Sequence, residues 1–171
     1  GVLFVDERRS GLAHEYFSGM LESFKSQAEQ HGYDITFINR YVGGRRMTYL
    51  QHCVYRSVDG VVIACVDFND PQVQELIESD LPVVTIDHVF DNRTSVISDN
   101  VAGMDALVRY VYSMGHRRLA LIHGERTSVT MNRITSFYRT CEELGLRVPD
   151  EYVLMSAYHD PDRCAEVTGQ L

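Results

Sequence analysis

Short apolar runs alternate along the chain with longer segments in which apolar residues recur every three or four positions. Between 13 and 31, residues Tyr16, Phe17, Met20 and Leu21 fall on one side of a helix, and Gly32 stands where a helix commonly ends. The run 61–65, Val-Val-Ile-Ala-Cys, is apolar without alternation, which is typical of a strand buried on both faces of a parallel sheet.

The same criteria divide the whole chain into strands and helices in alternation. The predicted strands cover 1–5, 33–37, 58–65, 81–86, 95–98, 118–123 and 152–155. The predicted helices cover 13–31, 47–55, 70–77, 100–114 and 131–144, with a last one from 160 that is still running at 171. Alternating strands and helices with short connections predict an α/β fold, a doubly wound parallel sheet with helices on both faces. We expect further residues beyond Leu171, because an intact domain rarely stops inside a helix.

Composition narrows the class of protein. A chain of 171 residues, with 44% apolar and 23% charged residues, can form one domain or one domain plus part of another. No apolar run approaches the roughly 20 residues that span a bilayer, and the N-terminus shows no visible secretory signal. The net charge of −8 disfavours phosphate-backbone binding by these residues, so DNA contact would need another segment.

Motifs of catalysis, nucleotide binding and metal binding are missing from the sequence. There is no GxGxxG after the first strand, no GxxxxGK[ST], no GxSxG and no HExxH, and Gly43-Gly44 resembles a turn. The four cysteines lack metal-ligand spacing and are interpreted as small buried residues with free thiols, which favours a reducing compartment. We therefore predict no enzyme, no cofactor and no metal site.

Polar segments follow four of the predicted strands, at 6–11, 66–69, 87–91 and 124–130. In open parallel sheets ligands bind at the carboxyl ends of the strands, so side chains here could bind hydroxyl or amide groups. Solvation of the loops explains the same composition, and both interpretations stay open.

Several segments, in order, resemble the regulatory domain of the lactose-repressor/galactose-repressor (LacI/GalR) family. They are His14-Glu15-Tyr16-Phe17, Val58-Asp59-Gly60-Val61-Val62-Ile63, Leu81-Pro82-Val83-Val84-Thr85-Ile86-Asp87, Ser98-Asp99-Asn100 before Gly103, and Met114-Gly115-His116-Arg117-Arg118-Leu119-Ala120-Leu121-Ile122-His123-Gly124 followed by Arg133-Ile134-Thr135-Ser136-Phe137. Each segment alone is weak evidence for the resemblance, but in this order the segments together cover nearly the whole chain and are strong evidence.

The resemblance implies a periplasmic-binding-protein-like fold whose two lobes close on an effector. It places 1–122 in the first lobe and 123–171 at the start of an incomplete second lobe, with the DNA-binding helix-turn-helix head absent. It also implies a cytoplasmic homodimer that binds operator DNA through that head and does not bind a membrane. The expected effector is a sugar, a sugar phosphate or a nucleoside.

The resemblance further implies an effector site. His14, Tyr16 and Phe17 match its first wall, where an aromatic face stacks on a sugar or base. Arg133 matches an arginine that binds effector oxygens, and Arg126 and Thr127 match effector-contacting loop positions. These residues have a structural interpretation as well, as helix-core or solvated side chains. Ser136 departs from the family, which usually has glycine there.

Two other functions remain open at this stage. A periplasmic sugar-binding protein of a transport system shares the predicted fold, although the Gly115-His116-Arg117-Arg118 entry to a strand resembles regulators more. A metabolic enzyme on the same kind of sheet is the weakest alternative, since the motifs are missing.

Overall fold

The computed structural model describes residues 1–5, 15–158 and 160–171. It forms two compact units, Gly1–Ile97 and Ser98–Leu171, which we call unit 1 and unit 2. The helix that begins at Asn100 belongs to unit 2, and the division of the two lobes between 122 and 123 stays a prediction.

Unit 1 contains a four-stranded sheet in which all the pairings are parallel. Its spatial order is β1-β4-β5-β6. In chain order the elements are β1 (Val2–Phe4), α1 (Glu15–Gln30), β2 (Tyr41–Val42), β3 (Arg45–Arg46), α2 (Tyr49–Arg56), β4 (Val61–Ala64), α3 (Pro71–Glu78), β5 (Val83–Ile86) and β6 (Thr94–Val96). The predicted α/β fold with a parallel sheet is confirmed.

The segment predicted as a strand at 33–37 lies beside β1. The Val2 amide donates to the Thr36 carbonyl at 2.9 Å, and the Ile38 amide donates to the Val2 carbonyl at 2.9 Å. Only one isolated parallel bridge, Val2 to Phe37, is regular enough to count as sheet pairing. The segment 36–38 thus lies on one side of β1, and β4, which follows later in the chain, lies on the other side. The direction of winding therefore reverses at β1.

Helices cover both faces of this sheet. Leu3 and Ile63 are fully buried in a core that also holds Cys53 of α2 and Leu76 of α3. Adjacent strand residues point to opposite faces, and Phe4 accordingly contacts Phe17 of α1 edge-to-face, with the ring centroids 5.2 Å apart. Burial raises the pKa of the Cys53 thiol to about 11, in line with its predicted role as a buried residue.

The Gly43-Gly44 pair forms the turn that the sequence predicted. Both glycines have positive φ, 57° and 79°, and they join β2 and β3 in a small antiparallel hairpin. The hairpin itself was not predicted. Helix α2 begins after it, at Tyr49, because Thr48 and Gln51 form a capping box.

Unit 2 contains a parallel pair of strands and three helices among the described residues. Its elements are α4 (Asn100–Ser113), β7 (Leu121–His123), α5 (Ser128–Glu143), β8 (Val153–Met155) and α6 (Pro161–Thr168). The buried apolar cluster is Val108, Phe137 and Cys141. The prediction that α6 runs on to 171 is wrong: the helix ends at Thr168, and Gly169 is its C-cap.

Helices α4 and α5 are also joined by buried polar contacts. The Ser136 hydroxyl donates to the Val101 carbonyl at 2.7 Å, and the Thr140 hydroxyl donates to Asp105 Oδ1 at 2.8 Å. Ser136 is 1% exposed, so the residue that departs from the family pattern lies in the helix contact and forms a hydrogen bond across it.

Candidate functional site

The strands β1 and β4 end at one edge of the unit 1 sheet, at the point where the winding reverses. Open parallel sheets bind ligands at such a position, because the loops diverge to either side and leave a crevice. A pocket of about 380 Å³ lies here, and we call it the edge pocket. Its lining residues are Phe4, Val5, Ile38, Asn39, Arg40, Tyr41, Tyr49, Val66, Asp67, Asp70 and Val73.

Arg40 and Asp70 form an ion pair in the edge pocket. Arg40 Nη2 donates to Asp70 Oδ2, and the guanidinium carbon lies 4.9 Å from the centre of the Tyr49 ring. Asp70 Oδ1 accepts a hydrogen bond of 2.9 Å from the Gln72 amide as the N-cap of α3. Asp70 is held by two partners at once, and the pair therefore has a fixed geometry.

An aromatic cluster stands over the ends of β4 and β5. His88 stacks on Phe68 with ring centroids 4.2 Å apart, and Phe90 lies 4.7 Å from His88. Burial lowers the pKa of His88. The Thr85 hydroxyl donates to the His88 carbonyl at 2.5 Å, which fixes the backbone under the cluster. The cluster places aromatic surface at the strand ends, where a ring-shaped ligand could contact it.

A larger depression of about 960 Å³ lies at the opposite, amino edge of the sheet. Its floor includes Gly60 and Pro82, whose carbonyls already accept backbone hydrogen bonds from Gly1 and Val61. This depression is larger than the edge pocket, but open parallel sheets bind their ligands at the carboxyl edge.

Two of the three predicted residues of the first wall are described. Tyr16 is 51% exposed, and its ring lies 5.2 Å from that of Phe17, which itself packs on Phe4 at the end of β1. An accessible ring beside the strand end is compatible with the predicted effector contact. His14 lies outside the described residues.

Arg133 of unit 2 is oriented by the start of α4. Its Nε donates to Asn100 Oδ1 at 2.7 Å, and Asn100 in turn donates from Nδ2 to the Ser98 carbonyl at 3.0 Å. The Arg133 residue as a whole is exposed, so the rest of its guanidinium can bind oxygen atoms of a ligand.

The loop after β7 contains the other two predicted residues. Arg126 is exposed, whereas Thr127 is the N-cap of α5 and its hydroxyl accepts a 3.2 Å hydrogen bond from the Thr130 amide. The hydroxyl groups of Tyr158 and Thr130 form a hydrogen bond of 2.6 Å. The Tyr158 ring lies so close to Gly124 that a Cβ at position 124 would be 2.3 Å from the nearest ring atom. Any side chain at 124 would therefore have to displace the Tyr158 ring.

The predicted site residues thus fall into two groups, Tyr16 and Phe17 in unit 1, and Arg126, Thr127 and Arg133 in unit 2. Sequence reasoning missed Arg40 and Asp70, and it included the aromatic cluster only within the strand-end segments 66–69 and 87–91. The strand-end rule could have found Arg40, which follows the edge segment beside β1, but it was applied to only four strand ends. No group of side chains suited to a metal ion occurs in 1–5, 15–158 or 160–171. Within those same ranges, none of the helices is long and apolar enough to cross a bilayer.

A family model described as periplasmic binding proteins and sugar binding domain of the LacI family matches residues 8–166. The HTH-type transcriptional repressor PurR of Pasteurella multocida is 24% identical over 152 residues, 86% of this chain and 45% of that protein. The PurR of Salmonella paratyphi B is 27% identical over 156 residues, 84% of this chain and 46% of that protein. The chain therefore spans about half the length of the curated relatives it matches.

Solved structures share the fold. A putative LacI transcriptional regulator from Bacillus cereus subsp. cytotoxis superposes with a TM-score of 0.81 at 21% identity, over 100% of this chain and 62% of that one. A LacI family regulator from Mycobacterium smegmatis superposes with a TM-score of 0.77 at 24% identity, over 100% and 60%. With the family model matching nearly the whole length, this chain belongs to the family of periplasmic binding proteins and LacI-type sugar-binding domains.

Proposed function

We propose that this chain is the effector-sensing part of a bacterial transcription regulator, in which a small polar molecule controls operator binding. The observation that carries the proposal is the edge pocket, which lies where the strand order reverses in unit 1 and combines charged and aromatic side chains. The curated relatives named above are repressors, which favours regulation over transport and over catalysis.

Effector binding would act by shifting a population between two arrangements of the regulator. A ligand can do so only by binding one arrangement more tightly than the other. Operator contact would come from a segment outside this sequence, since a net charge of −8 suits no phosphate backbone. A homodimer would present two DNA-binding segments to two half-sites, and this role would place the protein in the cytoplasm.

The test uses the complete gene product, with thermal shift and operator mobility shift as readouts. Sugars, sugar phosphates and nucleosides are screened, and each hit is repeated with Arg133→Ala. A ligand that binds only the folded state raises the melting temperature. At a ligand concentration of 100 times the dissociation constant, the added stability is about 2.7 kcal/mol. We expect one class to stabilise the protein and to change operator binding, and Arg133→Ala to remove both effects.

Arg139→Ala is the matched control, because Arg139 is also an exposed arginine of α5 but pairs with Glu143 at 3.8 Å. It should leave the thermal shift and the operator response intact. If no small molecule changes operator binding, the proposed function is wrong. A hit that survives Arg133→Ala would retain the function and remove Arg133 from the site.

A further inference from the structure

The ion pair in the edge pocket is partly open to solvent. Side-chain exposure is 36% for Arg40 and 22% for Asp70, although each is anchored by a second contact. Arg40 Nε is enclosed by protein and has no hydrogen-bond partner among the described residues, so the exposed part of the guanidinium is its outer edge. The partly exposed Arg40 guanidinium, beside the Asp70 carboxylate, can therefore donate hydrogen bonds to a ligand while the carboxylate accepts them.

The described lining of the edge pocket carries more negative than positive charge. One guanidinium, Arg40, stands against two carboxylates, Asp67 and Asp70. A phosphate group only accepts hydrogen bonds, and it would meet like charge from both carboxylates. A hydroxyl both accepts from a guanidinium and donates to a carboxylate, so adjacent hydroxyls satisfy the pair.

Aromatic rings complete the chemistry of the pocket. Tyr41 is 68% exposed at the rim, and Tyr49 lies under the guanidinium. Ring faces pack against the apolar C–H side of a sugar while its hydroxyls point to charged groups. Resting on the proposed function above, we propose that Arg40 and Asp70 act together as the specificity pair for a neutral polyhydroxylated effector and discriminate against its phosphorylated form.

The experiment measures Kd by calorimetry on the complete gene product. The probes are D-glucose, D-galactose and D-ribose, each beside its terminal phosphate ester. Arg40→Met removes the guanidinium and keeps the apolar stem, while Asp70→Asn removes the charge and keeps a good N-cap. Asp160→Asn is the matched control, because Asp160 caps α6 in the same Asp-Pro sequence and bonds the Arg163 amide at 2.9 Å.

We expect at least one neutral sugar to bind at least about tenfold more tightly than its phosphate ester. Arg40→Met and Asp70→Asn should each weaken that sugar by about 10- to 100-fold, the range for losing a charged hydrogen bond. Asp160→Asn should leave the Kd unchanged. Asp70→Asn should also narrow the difference between the sugar and its phosphate, and a purely structural role would not change this ratio.

Several results would overturn the pair and leave the proposed function standing. One is a sugar whose Kd stays the same in Arg40→Met and Asp70→Asn but rises in Arg133→Ala. A second is tighter binding of a phosphate ester, lost in Arg40→Met, which would make the pocket an anion site. A third is an operator response to nucleosides alone. Both variants are first tested for a ligand-free melting transition. If Arg40→Met has none, Arg40→Lys replaces it, because lysine keeps the charge and should still lose affinity for want of the fork geometry. If Asp70→Asn has none, the Arg40 variants carry the test.

Discussion

The two units are stabilised in different ways. The buried hydrophobic cluster of unit 1 combines strand residues such as Leu3 and Ile63 with Leu76 and other residues of α2 and α3. In unit 2 the described cluster is Val108, Phe137 and Cys141, and hydrogen bonds at Ser136 and Thr140 join the same two helices. Burial of apolar area has no direction, whereas a hydrogen bond fixes the position of one helix along the other. The α4–α5 pair of unit 2 is therefore specified by polar register as well as by packing.

The largest expected effect is on the unit 1 core. Leu76 is fully buried, so Leu76→Ala removes apolar contacts and leaves a cavity that the parallel sheet cannot readily fill. We expect the free energy of unfolding of unit 1 to fall by about 2–5 kcal/mol, measured by urea denaturation.

Leu107→Ala is its control, since Leu107 is 54% exposed on α4. The change there should stay within about 0.5 kcal/mol. Equal losses from the two substitutions would contradict the assignment of the unit 1 core.

A smaller effect is expected at the polar register of unit 2. Ser136→Ala deletes the hydroxyl that donates to the Val101 carbonyl, and this should cost about 1 kcal/mol of stability, read from the shift in the urea midpoint. Ser113→Ala is the matched substitution, because the Ser113 hydroxyl also donates to a helix carbonyl, that of Tyr110 at 2.7 Å, but is exposed.

The Ser113 variant should be almost neutral. If Ser136→Ala were equally neutral, the hydrogen bond between α4 and α5 would contribute nothing, and apolar packing alone would hold this helix pair.

The same contrast explains what the sequence could predict. The runs that became β4 and β5 were visible because a strand buried on both faces is apolar without interruption. The Asp70-Pro71 start of α3 was visible because a cap followed by proline is a local signal. The hairpin β2–β3 was predicted only as a turn, since two-residue strands have too few positions to show alternation.

The candidate site was less predictable than the fold. Arg40 and Asp70 are 30 positions apart in the chain, and only the return of β4 to the side of β1 brings them together. The stacking of His88 on Phe68 likewise depends on two separate strand ends. Pairs of this kind have no local signal, whereas Arg133 was found through its family resemblance, and its role in effector binding stays a prediction.

The smallest expected effect is a pH dependence of the stability of unit 1. His52 is 2% exposed, and its Nδ1 accepts a hydrogen bond of 2.9 Å from the Asn39 amide, so the neutral ring is the form that fits. Burial, followed by the nearby Arg56 charge, lowers the pKa of His52 below its ordinary 6.5. Below pH 6.5 His52 is protonated in the unfolded chain but still neutral in the folded protein. The free energy of unfolding therefore falls as the pH falls from 6.5 towards the pKa of the folded state.

The slope cannot exceed about 1.4 kcal/mol per pH unit for one group. His88 contributes in the same direction, because burial lowers its pKa too. Urea denaturation between pH 7.5 and 5.5 should therefore show a slope that His52→Asn reduces, since the Asn amide oxygen can accept from Asn39 but does not titrate. His88→Gln should remove most of the remainder. A slope that both substitutions leave unchanged would place the pH sensitivity elsewhere in the protein and remove this difference between the units.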